Sequence, residues 1–354
     1  MALRADKYLD LFLDSDAIDE DFFAEVVENK LKIKRDEFHL RFVAITPATG
    51  KNENFMSVVL RAAIKIEFRD SKAKQSIDVI IKALLREVDE NVKDLGVFKR
   101  ERFVYEKIID SFESIWLRNG ESVQFAPKCF KVTQEPFETI ILDDLRNKNF
   151  LLVDRKHGFN LEQSELVLKK LAKFHAAGAI YLHEHGAFDD CLDRKLSMKT
   201  LNQDGDIVRE FGKFFHVFLE TIKNLDGCSE FGEKVAKWDL NKLYKCWMLA
   251  TEPMKNGFVV LNHGDMWVNN LLLSTDDALF IDFQICFHGS PASDLIYFLV
   301  TSVSDDVKVA NFDHLVRIYH SELCNGLQKL DYEKQVPTLE EIHQDMLEKG
   351  SFGN

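Results

Sequence analysis

A chain of 354 residues with 46% hydrophobic and 30% charged residues is long enough for two domains, and its mixture excludes a disordered or fibrous protein. Its formal net charge of −13, from 59 acidic against 46 basic residues, repels nucleic acid and anionic membrane surfaces in the mean field. Any site for a polyanion must therefore bring its own local positive charge.

The opening segment MALRADKYLDLFLDSD places Arg4, Asp6 and Lys7 where a secretory signal needs an apolar run. No stretch of about 18 apolar residues follows that would span a membrane. The six cysteines, Cys129, Cys191, Cys228, Cys246, Cys286 and Cys324, stand singly, without a CxxC pair or zinc spacing. That pattern fits free thiols in a reducing compartment. The expectation is a cytoplasmic protein with no nucleic-acid, membrane or obligate protein partner.

In chain order, residues 19–31 carry apolar positions at helical spacing after an acidic start. Residues 33–46 and 55–67 are β-branched and alternating, and flank a turn-rich segment with Pro47, Gly50, Asn52 and Asn54, so they predict a hairpin. A third strand is expected at 76–84, a helix at 95–114, and strands at 124–133 and 137–143. Past Leu145 the pattern turns helical, at 161–182, 207–224 and 231–250. A compact β section follows, FVVLNHGD at 258–265 and ALFIDF at 278–283, and helices resume from 292. A β-rich part followed by a helix-rich part predicts an α+β protein of two lobes with a cleft, divided within residues 141–147.

The sharpest chemical signal is His263-Gly264-Asp265-Met266-Trp267-Val268-Asn269-Asn270, followed by Ile281-Asp282-Phe283. Two apolar strands, taken as one short hairpin, deliver Asp265, Asn270 and Asp282 to one place. Phosphoryl transfer needs such a set: a carboxylate to orient and deprotonate the attacking hydroxyl, and oxygen ligands for Mg²⁺. The pairs His157-Gly158 and His185-Gly186 lack the aspartate and serve as internal controls.

With IDFQ at 281–284 and GSPASDL at 289–295, this pattern resembles the ecdysteroid kinase-like (CHK kinase-like) family of animals, itself similar to choline kinases and aminoglycoside phosphotransferases. FKRERFVYEK, LDDL, LAKFHA and LNHGDMWVNN extend the resemblance over nearly the whole chain. It implies a bilobal protein-kinase-like fold, with a nucleotide-binding lobe at 1–142 and a catalytic and substrate lobe at 143–354. It gives Asp265 the role of catalytic base and makes Asn270 and Asp282 the magnesium ligands. By the same resemblance, His263 braces the loop and Asp294 anchors it from the next helix. The implied reaction transfers the ATP γ-phosphoryl group to a small alcohol such as an ecdysteroid or xenobiotic.

Lys82, on an apolar strand where an unpaired lysine is costly, supplies the positive charge for the α- and β-phosphates. The resemblance picks Glu101 as its partner, with Glu106 as the fallback. Ser57 and nearby amides are the candidates to cover the phosphates, since no G-x-G-x-x-G is present. The hinge Leu142-Asp143-Asp144-Leu145 is expected to hold adenine through Asp143 and Leu145. His175, in LAKFHA, is expected to be a buried structural histidine. Gln284 in place of glycine after Asp-Phe, and the missing Ala-Pro-Glu, argue against a protein kinase. The resembling family continues with further helices beyond a segment like EEIHQDMLEKGSFG, which opens the alternative of an inactive nucleotide-binding pseudokinase.

Overall fold

The computed structural model describes residues 19–48, 57–84, 96–135, 138–193, 206–238, 242 and 252–350, with backbone only for 206–211 and 229. By internal contacts the chain divides into a unit of residues 1–89, 102–109 and 126–151 and a unit of residues 90–101, 110–125 and 152–354.

The first unit is a five-stranded antiparallel sheet in the order β1-β2-β3-β5-β4. Its strands are β1 (Phe38–Pro47), β2 (Ser57–Phe68), β3 (Lys74–Leu84), β4 (Cys129–Thr133) and β5 (Thr139–Asp143). Alternation builds its core: Leu60, Ala62, Ile64 and Ile66 of β2 and Ile77, Val79 and Ile81 of β3 turn to one face. Helix α1 (Glu20–Leu31) covers that face with Phe22, Phe23, Val26 and Val27. The Asp19 side chain accepts from the Phe22 amide at 2.9 Å to cap its start, and Lys32, at φ 58°, ends it in the left-handed region.

The hairpin of β1 and β2 is present, but residues 35–37 form a 3₁₀ turn instead of strand. The turn at 49–56, with Gly50, Asn52 and Asn54, lies outside the described residues. The helix expected at 95–114 is α2 (Val97–Phe103), a π turn (Val104–Ile108) and α3 (Ile109–Arg118). The strand expected from 124 begins at Cys129. Before it, the Phe125 amide donates to the Glu113 carboxylate at 2.9 Å and Lys170 takes the Gln124 carbonyl at 2.8 Å, so side chains replace a ladder.

The second unit is mainly helical. Helix α4 (Leu161–His185) is its core, buried along Val167, Leu168, Leu171, Phe174 and Ala177, and it packs on α8 (Asp305–Lys329). Its start carries a reciprocal cap between Asn160 and Gln163, and Gly186 closes its end. Gly178 lets α4 approach the backbone at Leu261, because a Cβ there would lie 2.9 Å from the Leu261 amide nitrogen. Helices α5 (Asp206–Lys223) and α6 (Ser229–Val235) follow; of the helix expected at 231–250, residues 239–241 and 243–250 lie outside the described residues. Helices α7 (Ala292–Thr301) and α9 (Leu339–Gly350) complete the set.

The β section of this unit is made of strands three residues long. They are β7 (Val260–Asn262), β8 (Leu271–Leu273), β9 (Ala278–Phe280) and β10 (Phe287–Gly289), numbered after a two-residue β6 (Leu151–Leu152) at the point in the chain where the division falls. Here the sequence expectation needs correcting. The strands leading to Asp265 and Asp282 do not form one hairpin: β7 pairs with β10, and β9 pairs with β8. The eight residues from His263 to Asn270 turn the chain out of one ladder and into the other.

Candidate active site

The loop after β7 is built around Gly264, at φ 83°, where a Cβ would drive into the Ile285 carbonyl. Its amides are captured by one buried carboxylate. Asp294, fully buried on α7, accepts from the His263 amide at 2.7 Å and from the Gly264 amide at 2.9 Å. Asp294 also meets His175 Nε2 at 3.3 Å, and His175 Nδ1 lies 2.7 Å from the Tyr319 hydroxyl. The carboxylate can only accept, so Nε2 carries a proton and Tyr319 donates to Nδ1. Burial first, then the Asp294 charge, pushes the Tyr319 phenol well above its usual range and keeps that donor protonated.

His263 closes the loop from inside. The Asp265 amide donates to its Nδ1 at 3.3 Å, which leaves Nε2 to donate to the Ile281 carbonyl at 3.0 Å. One imidazole thus ties the segment before Asp265 to the segment before Asp282. A second tie runs from the Ile281 amide to the Asn270 carbonyl at 3.0 Å. Together they bring the two sequence segments side by side although their strands belong to different ladders.

Asn270 is buried, and its Nδ2 donates to the Asp265 Oδ2 at 2.9 Å and to the Asp265 carbonyl at 3.0 Å. The other carboxylate oxygen of Asp265, Oδ1, accepts from the Tyr297 hydroxyl at 2.8 Å. Asp282 stands at φ 67°, a left-handed conformation that aspartate tolerates better than most residues. Phe283 is fully buried against His263 and Phe174. The next carbonyl, of Gln284, accepts from Arg100 Nη1 at 2.7 Å, while Arg100 Nε donates to the Cys191 carbonyl at 2.7 Å.

The donor set suits magnesium. With Nδ2 of Asn270 committed to Asp265, its amide oxygen would be the atom left to ligate a cation, and Asp282 would add a carboxylate. Mg²⁺ favours such hard oxygens and takes one or two protein ligands together with phosphate oxygens and water.

In the first unit, strand register places Ser57, Arg61 and Lys82 on one face of the sheet, opposite the face covered by α1. Lys82 is buried, opposite Val59 of β2 and Ile140 of β5. Asp143 turns the other way. Its carboxylate pairs with Lys30 of α1 and with Lys148 at 3.0 Å, and its amide donates to the Lys128 carbonyl at 2.8 Å. The Asp143 side chain therefore sits on the α1 face, away from Lys82. Leu145 is buried at the start of the 3₁₀ turn Leu145–Lys148, capped by Asp144. Asp144 itself is held by Arg61 at 2.6 Å and Arg146 at 3.0 Å. Of the two glutamates considered beside Lys82, Glu101 is fully buried, whereas the Glu106 side chain is 44% exposed and reaches Arg102 at 3.8 Å.

Sequence reasoning missed three residues here. Tyr297 is three residues after Asp294, one helical turn along α7, and that spacing was a readable signal. Arg100 lies within FKRERF as an ordinary basic residue, and only its burial marks it. Tyr319 carries no motif at all.

Solved structures with a similar chain course include a choline kinase from Cryptosporidium parvum Iowa II, at 12% identity and a TM-score of 0.44, covering 94% of this chain and 86% of that one. A choline/ethanolamine kinase family protein from Mesorhizobium loti gives 10% identity and a TM-score of 0.39, with 87% of each chain covered. The streptomycin–ATP–APH(2″)-IIa ternary complex gives 15% identity and a TM-score of 0.37, covering 88% and 86%. Comparison with curated proteins gives no match. Among the described residues no helix is long and apolar enough to cross a membrane. The model of the ecdysteroid kinase-like family matches residues 51–332, a span that holds Lys82, Glu101 and the whole segment from His263 to Asp294, and the chain belongs to that family.

Proposed function

We propose that the protein is an ATP-dependent kinase that transfers the γ-phosphoryl group to a hydroxyl of a small apolar alcohol, such as an ecdysteroid or a xenobiotic. The observation that carries this reading is the junction at Asn270. Its side chain holds Asp265 and its carbonyl holds Ile281, the residue before Asp282, so the segments that carry Asp265 and Asp282 belong to one bonded unit with Asn270.

In this reading Asp265 orients the acceptor hydroxyl and takes its proton as the acceptor oxygen bonds to the γ-phosphorus and the bond to the leaving ADP oxygen breaks. Asn270 and Asp282 would hold Mg²⁺, which would supply positive charge to neutralise the phosphates. His263 and Asp294 keep the loop in shape. Lys82 meets the α- and β-phosphates with Glu101 as its partner, Ser57 lies on the same sheet face as Lys82, and the backbone at Asp143 and Leu145 receives adenine. The nucleotide role is assigned to residues 1–142 and the catalytic and substrate roles to 143–354.

A small acceptor fits better than a peptide: the Ala-Pro-Glu segment is missing and the net charge is −13. The test is ATP consumption against a panel of hydroxylated steroids and plant alcohols, with generic protein substrates alongside. Consumption with at least one small alcohol is expected. Phosphorylation of proteins alone would overturn the reading.

A further inference from the structure

We propose that Tyr297 is the positioning residue of Asp265, and that Oδ1 of Asp265 is the oxygen that receives the acceptor's proton. The inference rests on the reading of Asp265 as catalytic base. Two neighbours fix the carboxylate from opposite sides. Asn270, buried within the loop, takes Oδ2 at 2.9 Å, and Tyr297 takes Oδ1 at 2.8 Å. Both bonds are made to a carboxylate, the stronger class of hydrogen bond.

The two sides differ in access. Asn270 belongs to the loop interior, whereas Tyr297 is 39% exposed, so Oδ1 is the oxygen on the side open to a ligand. An ionised carboxylate oxygen has two lone pairs, so an acceptor hydroxyl can join Tyr297 on Oδ1 without displacing it. Tyr297 then selects the rotamer in which the second lone pair of Oδ1 meets the acceptor.

Helix α7 supplies the rigidity. Asp294 and Tyr297 are one turn apart on it, and the first holds the loop amides while the second holds the side chain at the loop's tip. Backbone and side chain of the Asp265 region are thereby referenced to one helix. Misplacement of a reacting group by about 1 Å can cost on the order of a hundredfold in rate.

The experiment compares wild type, Tyr297→Phe, Asp265→Asn and the double variant. Mg-ATP hydrolysis with water as acceptor is read as phosphate release, and crystal structures of the wild type and Tyr297→Phe give the Asp265 rotamer. Tyr297→Phe keeps the ring and is expected to lower kcat about tenfold, the range of a lost hydrogen bond to a charged group, with KM for Mg-ATP within about twofold. In the Asp265→Asn background the same change should cost nothing further. The Asp265 side chain should leave its single rotamer once the hydroxyl is gone. An unchanged rotamer, or equal losses in both backgrounds, overturns the proposal. If the wild type hydrolyses nothing and turns over no alcohol, the kinase reading fails, and the rotamer comparison alone decides whether Tyr297 positions Asp265.

Discussion

The sheet of the first unit and the segment from Val260 to Gly289 are both β structure, yet they are held together in different ways. In the sheet, β2 and β3 pair over eleven residue positions from Ser57↔Leu84 to Glu67↔Lys74, and an alternating apolar face packs under α1. In the second segment no strand exceeds three residues, and the chain passes through left-handed backbone at Gly264 and Asp282. What holds it is a set of polar side chains bonded to backbone: Asp294 to two amides, His263 to Ile281, Asn270 to Asp265. A sheet spreads its stability over many small terms, whereas this loop concentrates it in a few buried groups. Function gains from the second arrangement because it fixes side-chain positions rather than only chain course.

The largest effect that would break this contrast is at Asp294. Asp294→Ala leaves two loop amides and His175 without their acceptor in a buried site, and each buried donor left unsatisfied costs about 1–3 kcal/mol. Denaturant unfolding of the variant should show that loss, and ATP turnover should vanish with it. If Asp294→Ala folds and turns over like the wild type, the loop does not depend on that carboxylate.

The matching change in the sheet is Ile64→Ala, which opens a cavity beneath α1 at a cost of about 2–5 kcal/mol. Here stability should fall without change in kcat of the folded protein for the proposed reaction, measured well below the melting temperature. Equal loss of kcat would show that the sheet core also sets catalytic geometry.

The smallest expected effect concerns Asp144, at the end of the sheet. Burial raises its carboxyl pKa, but hydrogen bonds from Arg146 and Arg61 outweigh burial and hold it below the ordinary value. A depressed carboxylate stabilises the fold above the unfolded pKa, and that stabilisation is lost as pH falls through the folded one. Asp144→Asn should therefore lower the melting temperature at neutral pH, with the difference shrinking as the pH drops below the carboxylate range. A difference that is constant from neutral to acid pH would mean that the ion pairs contribute nothing.

The same contrast explains what the sequence made legible. Period-two alternation in β2 and β3 and the helical spacing of 161–182 come from long, repetitive burial, and those elements lie where the pattern put them. Short strands carry too few residues for a period, so the pairing of β7 with β10 and of β8 with β9 was not readable, and one hairpin was expected instead. The motif residues His263, Asp265, Asn270, Asp282 and Asp294 were legible from a local motif and the family resemblance it carries, and the structure gathers all five in one unit. Asp143 shows the limit: it was read as a hinge residue, but the face its side chain takes depends on strand parity, which a strand of five residues is too short to reveal. Tyr297 was missed although its spacing from Asp294 was readable, and Arg100 because only its burial marks it.

The account stands on a division of labour between Asp265 and Asp282, and Mg-ATP titration calorimetry beside single-turnover rates measures it. Asp265→Asn removes the proton acceptor but no metal ligand, so Mg-ATP affinity should stay near the wild-type value while the rate falls by on the order of 10²–10⁴. Asp282→Asn removes a charged oxygen ligand from a hard cation, so metal-dependent nucleotide affinity and rate should fall together. Loss of affinity in Asp265→Asn with retention in Asp282→Asn would reverse the two roles. Wild-type turnover in both variants would contradict the account at its centre.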